Sequence, residues 1–215
     1  MTEIIKIMEI IGTIAFSLSG SLVAISAGLD MFGVAFVAAI TAFGGGILRD
    51  ILLGINPPAI FNDFLIFLLA LCVALLTFII AYALRERFGA FKTKIEHINN
   101  VFDAIGLSAF VVIGSEVAFA SSFNSGFVVV FSGMVTGVCG GIFRDVLIDT
   151  TPYVFKKHVY AIAAIIGSIT YFILRTYTQS IEITSLLSMV LVFTIRMLAT
   201  RYRWSLPKIH INNEE

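Results

Sequence analysis

Charge is scarce in this chain: of 215 residues, 14 are Lys or Arg and 14 are Asp or Glu, 13% in all. An ordinary soluble domain carries about 25% charged residues, so the composition excludes that class. The formal net charge at pH 7 is zero, which leaves no basic field to attract nucleic acid, and none is expected as a partner. Cysteine is nearly absent. Cys72 and Cys139 each sit in an apolar run, which excludes a disulfide framework or a zinc spacing, and both are expected as buried free thiols. No stretch has linker composition, so one domain is expected. There is no His-Glu-x-x-His, no Gly-x-Ser-x-Gly and no Walker lysine after the glycines. Neither an enzyme nor a cofactor is therefore expected.

What the chain has is long apolar runs, with 59% hydrophobic residues and a mean hydropathy of +1.00. A helix needs roughly 20 apolar residues to cross a bilayer. Seven runs meet this, near 5–27, 32–53, 62–84, 101–120, 125–148, 158–177 and 181–200. Pro57, Pro58 and Pro152 mark turns between them. Lys6, the run Ile10 to Leu18 and the small residues Ala24 to Ala27 have the form of a signal peptide. That segment has a counterpart inside the chain, so it is read as the first span.

Basic residues are one-sided. Arg85, Arg87, Lys92 and Lys94 follow the third span, Lys156 and Lys157 the fifth, and Arg201, Arg203 and Lys208 the seventh, whereas the other side has little beyond Lys6 and Arg175. The positive-inside rule then puts the N-terminus outside and the C-terminus in the cytoplasm, with Tyr202 and Trp204 anchoring the last helix.

The chain also repeats itself. Phe43-Gly44-Gly45-Gly46-Ile47-Leu48-Arg49-Asp50 matches Val138-Cys139-Gly140-Gly141-Ile142-Phe143-Arg144-Asp145, about 95 positions on. Ala38, Thr41, Ala42 and Pro57 correspond to Gly133, Thr136, Gly137 and Pro152. Upstream, Glu9, Gly12, Ala15, Phe16 and Gly20 correspond to Asp103, Gly106, Ala109, Phe110 and Gly114. Each copy holds three spans, so the second enters the membrane from the opposite face. The expectation is an all-α integral membrane fold of seven transmembrane helices. It has two inverted three-helix repeats, about 5–84 and 101–177, an extra helix at about 181–200 for packing or subunit contact, and kinked second and fifth helices. Residues 1–204 form the transmembrane domain and 205–215 a short cytoplasmic tail. Inverted repeats place a binding or permeation site near the midplane, between discontinuous helices.

The glycine strings have two readings. Broken helices there would turn free carbonyls toward a cation and free amides toward an anion. Alternatively, Ala38-x-x-x-Ala42-x-x-x-Gly46 and Gly133-x-x-x-Gly137-x-x-x-Gly141 are close-packing stripes. The candidate pore and kink residues are Thr41, Gly44, Gly45, Gly46, Thr136, Cys139, Gly140 and Gly141. The intramembrane charges Arg49, Asp50, Arg144 and Asp145 are expected to face the bundle interior or water. Adjacent helical residues diverge by about 100°, so each charge is expected to pair elsewhere, across the repeat interface, either locking the helices or gating an aqueous path. Thr13, Ser17 and Ser21, with Ser108 and Ser115, are hydroxyls for cations or for their own backbone. Glu9, Asp103 and Glu116 are expected to snorkel to water, and His97, His158 and His210 to be solvated.

The paired Gly-Gly-x-x-Arg-Asp strings, in the second and fifth of seven helices, resemble the TRIC family of trimeric intracellular cation channels, prokaryotic type. The resemblance runs from about Gly12 to the seventh span. It implies a homotrimer in membrane lipid with a pore in each protomer, conducting potassium and sodium along the second and fifth helices. The matching positions are Gly44, Gly45, Gly46, Arg49 and Asp50, then Gly140, Gly141, Arg144 and Asp145; no metal beyond permeating cations is implied. Cys139 departs from a full glycine triplet. The long basic tail of animal relatives is not matched, so their lipid or calcium regulation is not carried over. The resemblance places the chain in a prokaryotic cell membrane. Bacterial proteins with this domain have been linked to glycine transport, so a secondary transporter of a small zwitterion such as glycine is the alternative.

Overall fold

A computed structural model describes residues 2–85, 92–156, 159–178 and 180–204. Arg87, Lys157, His158, Lys208 and His210 lie outside the described residues, as does the 205–215 tail. Seven long helices carry the fold: α1 Glu3–Ser26, α2 Met31–Leu52, α3 Phe64–Ala83, α4 Lys92–Phe119, α5 Gly126–Leu147, α6 Val159–Tyr177 and α7 Ile181–Arg201. Each contains a segment long and apolar enough to cross a membrane, and the chain is a multi-pass membrane protein. The spans fall where the apolar runs place them, except that α4 begins at Lys92, ahead of its apolar stretch.

Local chemistry sets the ends alike in both repeats. Asp30 and Ser125 cap α2 and α5, accepting from the N–H groups of Gly33 and Val128 at 2.8 and 3.4 Å. Such caps satisfy amides that the helix leaves free. Beyond the C-terminal ends, Gly54 and Asp149 take φ of +71° and +55°. The next amides, of Ile55 and Thr150, then reach back to the carbonyls of Asp50 and Asp145 at 2.8 and 2.9 Å. This is the left-handed cap that glycine favours and aspartate tolerates.

Packing follows the repeat. α1, α2, α4 and α5 form the centre, α3 flanks α1 and α2, and α6 flanks α5 and α4. Phe16 and Phe110 meet with ring centroids 5.2 Å apart. Gly12 lies under Ala109 and Phe110, and Gly106 lies under Phe16. α7 breaks the symmetry by covering α4 and α6. Tyr160 of α6 is 2% exposed beneath it, whereas Leu65, at the corresponding place on α3, is 75% exposed. One expectation fails here: Cys72 is a free thiol on the exposed face of α3, and Cys139 is only half-buried. Both sit on helix faces that α7 does not cover.

Candidate functional site

The two glycine strings meet where α2 crosses α5. A methyl group at Gly45 would lie 2.1 Å from the carbonyl oxygen of Thr136, and one at Gly140 would lie 2.2 Å from that of Thr41. The helices touch backbone to backbone, twice, in pseudo-symmetric fashion, and only glycine permits that approach. Thr41 and Thr136 turn their hydroxyls to the carbonyls of Val37 and Ser132, at 2.6 and 2.7 Å. Gly44 makes room for Phe143; at the matching positions the large and small partners are Leu48 and Cys139. α2 and α5 run through their glycines as continuous helices, so of the two readings the one with separated half-helix ends does not hold. The glycines act here by letting the two backbones approach.

The small-residue stripe packs as expected. Gly133 has Ser115 and Ser168 above it, and Gly137 has Leu107 and Val111. Ser17 and Ser21 donate to the carbonyls of Ala70 and Ser17, both at 2.7 Å, and Ser108 to that of Ile105 at 2.8 Å. Those hydroxyls are spent on backbone. Thr13 and Ser115 are buried without a hydrogen-bond partner among the described residues.

All four motif charges are buried, as expected, and Arg144 pairs across the repeat interface, but each arginine also pairs with its own neighbour, which the sequence reading excluded. Arg49 Nε donates to Asp50 Oδ1 at 2.8 Å, with Nη2 2.7 Å from the same oxygen. Arg144 Nε donates to Asp145 Oδ1 at 2.8 Å. Neighbours on a helix pair here because the long arginine side chain folds back over the last glycine of its string. Arg49 Nη2 and Arg144 Nη2 lie 3.8 and 3.7 Å from a methyl position at Gly46 and Gly141. The second carboxylate oxygens are also taken: Asp50 Oδ2 by the Ala59 N–H at 2.8 Å, Asp145 Oδ2 by the Tyr153 N–H at 2.7 Å. A buried charge is tolerated only when satisfied in this way.

The Arg144 end is more elaborate. Arg144 Nη1 donates to Asp103 Oδ1 at 2.9 Å and to Ser19 Oγ at 2.7 Å. Asp103 is 3% exposed, so it does not snorkel to water; α7 closes over it. Arg196 Nη2 lies 3.7 Å from Asp103 Oδ2 and 3.4 Å from Asn100 Oδ1. Sequence reasoning discounted Asp103 and missed Arg196 and Ser19. The signal for Arg196 was present: Thr184, Ser188, Val192 and Arg196 form a four-residue stripe on an otherwise apolar helix, and all are buried. Glu116 is half-buried too, accepting from the Tyr171 hydroxyl at 2.5 Å and facing Arg175 at 3.5 Å. Glu9 is half-buried, whereas His97 is exposed as expected.

Arg144 and Asp103 form part of the wall of a cavity of about 440 Å³, which Asn100, Tyr153, Thr200 and Arg203 also line. A second hollow of about 390 Å³ lies between the outer faces of α2 and α5, lined by apolar side chains with Gly44. Among the described residues no three His, Cys, Asp or Glu side chains group as metal ligands.

Fold and site together define a seven-helix membrane protein of two inverted repeats joined at a glycine-mediated crossing. A family model described as "Glycine transporter" matches twice, over residues 6–82 and 100–176, once per repeat. The chain is 34% identical over 201 residues to the UPF0126 inner membrane protein YadS of Escherichia coli K12, covering 93% of each. It is 38% identical over 209 residues to a UPF0126 membrane protein of Vibrio cholerae, covering 96% of this chain and 83% of that one. A crystal structure of a prokaryotic TRIC channel in 0.5 M KCl superposes with a TM-score of 0.85 at 33% identity, covering 96% of this chain and all of that one. The TRIC orthologue of Rhodobacter sphaeroides superposes at 0.84 with 26% identity, covering 94% of this chain and all of that one. The chain belongs to the TRIC family, prokaryotic type, which takes in the UPF0126 membrane proteins.

Proposed function

We propose that the chain is a passive channel for monovalent cations, potassium and sodium, with one pore inside each protomer of a homotrimer. The observation that carries this reading is the backbone contact of Gly45 with Thr136 and of Gly140 with Thr41. It joins two inverted helices whose C-terminal ends lie toward opposite faces of the membrane. Those ends carry the negative pole of each helix dipole and favour cations at both mouths. Arg49 and Arg144 stand in the last turns and offset it in part. The path runs among α1, α2, α4 and α5, past Gly44 to Gly46, Thr41, Thr136, Cys139, Gly140 and Gly141. The Arg49–Asp50 and Arg144–Asp145 pairs are its gates. With carbonyl dipoles, hydroxyls and neutralised ion pairs, the path has no carboxylate ring, so potassium and sodium should pass with little discrimination. Its likeness to solved TRIC channels supports the reading.

The protein resides in a bacterial inner membrane with its N-terminus outside and its C-terminus, including 205–215, in the cytoplasm. Residues 1–204 act as a single channel domain. The test is potassium efflux from liposomes holding purified protein. Flux should follow the gradient without saturating and need no counter-substrate. The family description favours a second reading, a carrier for glycine or a similar zwitterion, and the 440 Å³ cavity has both Asp103 and Arg144 on its wall. Saturable glycine counterflow without potassium leak would replace the channel reading with this one.

A further inference from the structure

The two ends of the crossing are not held alike. At the Arg144 end the contacts close into a ring. Arg196 faces Asp103 Oδ2 at 3.7 Å, and the other oxygen of Asp103 accepts from Arg144 at 2.9 Å. Arg144 donates to Asp145 Oδ1 at 2.8 Å, and Asp145 Oδ2 accepts from the Tyr153 N–H at 2.7 Å. The Tyr153 hydroxyl donates to Asn100 Oδ1 at 3.1 Å, and that oxygen lies 3.4 Å from Arg196 Nη2, where the ring began. Arg196 is 2% exposed and lies over the Tyr160 ring, 4.4 Å from its centroid. Its charge is taken up in part by this ring and by the aromatic face, while its Nε has no hydrogen-bond partner among the described residues.

Among the described residues the Arg49 end has no such ring: Glu9, the counterpart of Asp103, feels the Arg49 charge but forms no ion pair with it. Among the described residues, Arg49 has Asp50 as its ion-pair partner. The positions matching Tyr153 and Tyr160 are Pro58 and Leu65, which offer neither a hydroxyl nor an aromatic face. Among the described residues no helix outside the repeat covers that end as α7 covers the other. The pseudo-symmetry of the core thus stops at the mouths, where α7, Tyr153 and Tyr160 set the Arg144 end apart.

We propose that Arg196 is a positioning residue: by holding Asp103 against Arg144 it latches the Arg144 end of the path shut, while the Arg49 end has no matching latch. Its consequence for conduction rests on the channel reading; the latch itself does not, and labelling reads it without current. Thr41 lies beside Gly20 and Gly140, next to the Ser19 that binds Arg144. A cysteine there reports the Arg144 half. Thr136, its repeat equivalent beside Gly114 and Gly45, reports the Arg49 half.

The experiment uses full-length protein in liposomes, with Cys72 and Cys139 replaced by alanine and one probe, T41C or T136C. A small cationic methanethiosulfonate supplies the modification rate. R196Q should speed modification of T41C about tenfold or more, because it removes one partner of a buried ion pair. T136C should be unchanged, and R196K should remain near the parent rate. D103N should speed T41C as well, and R196Q should add nothing on top of it. Equal acceleration at both probes would mean general loosening and would overturn the proposal. So would no acceleration at T41C, or additive effects of D103N and R196Q. If R196Q fails to fold, D103N and R196K on the two probes decide the same question. If the parent protein passes no potassium, the channel reading falls while the labelling still judges the latch.

Discussion

Replacing Gly45 with alanine is the sharpest probe of the crossing. The added carbon lies 2.1 Å from the Thr136 oxygen and 3.0 Å from the carbonyl carbon. Carbon and oxygen do not pack closer than about 3.3 Å, so α2 and α5 must part by about 1.2 Å or slide. Overpacking of this kind costs about 1–3 kcal/mol. Alanine returns about 1 kcal/mol of helix propensity, so the net loss of stability is about 0–2 kcal/mol with the crossing displaced. Gly46, one residue on, gives the opposite expectation. Its nearest neighbour is Arg49 Nη2 at 3.8 Å, so Gly46→Ala keeps the propensity gain and should be neutral or stabilising by about 1 kcal/mol. Thermal unfolding in detergent, potassium flux into liposomes and oligomer mass by light scattering form the assay. Gly45→Ala should lower both melting temperature and flux, Gly45→Leu should abolish flux, and Gly46→Ala should keep both. Gly140→Ala should behave as Gly45→Ala does, and the double change should be less than additive because the two share one contact. The oligomer should survive at least one of these changes. Identical behaviour of Gly45→Ala and Gly46→Ala would refute the reasoning, and loss of flux only with loss of the folded oligomer would leave packing as the whole role.

Other expectations follow from the same geometry. A methyl group at Gly167 would lie 2.0 Å from Val192 Cγ2, so Gly167→Ala should loosen α7 by about 1–3 kcal/mol. Val192→Ala should restore part of that loss in a thermal melt; absence of rescue would mean the α6–α7 contact is not the cause. Cysteines placed at Pro57 and at Lys156, in protein lacking Cys72 and Cys139, should label from opposite faces of intact cells. Labelling from one face would contradict the inverted arrangement. Asp145→Asn should free Arg144 from its neighbour and weaken the anchoring of Tyr153, at a cost of about 3–5 kcal/mol for breaking a buried pair. A melt unchanged by Asp145→Asn would show that the pair does not hold that end.

Much of the fold was legible because membrane spans announce themselves. Apolar runs of bilayer length leave few alternatives, and the Gly-Gly-x-x-Arg-Asp recurrence fixed how the halves relate. Glycine spacing also pointed to a close helix contact, though not to which carbonyls meet. Arg49 and Asp50 were misjudged because spacing reports where Cβ atoms point, whereas an arginine has enough rotatable bonds to turn back along its own helix. Asp103 was misjudged because its depth depends on α7, and nothing in α4 reveals what covers it. Arg196 was missed because α7 has no repeat counterpart to compare with, so nothing set its one buried charge apart. The broken-helix reading rested on three glycines weakening a helix, yet the helix runs through them and their closeness serves the crossing.

The central claim is selective passage of cations through the protomer, and a reversal potential measures it most directly. Purified protein in a planar bilayer, with asymmetric potassium chloride, should give discrete unitary currents that reverse near the potassium equilibrium potential. Replacing potassium by sodium on one side should shift that value only slightly. A reversal potential that tracks chloride, or no unitary current alongside saturable glycine exchange, would contradict the account.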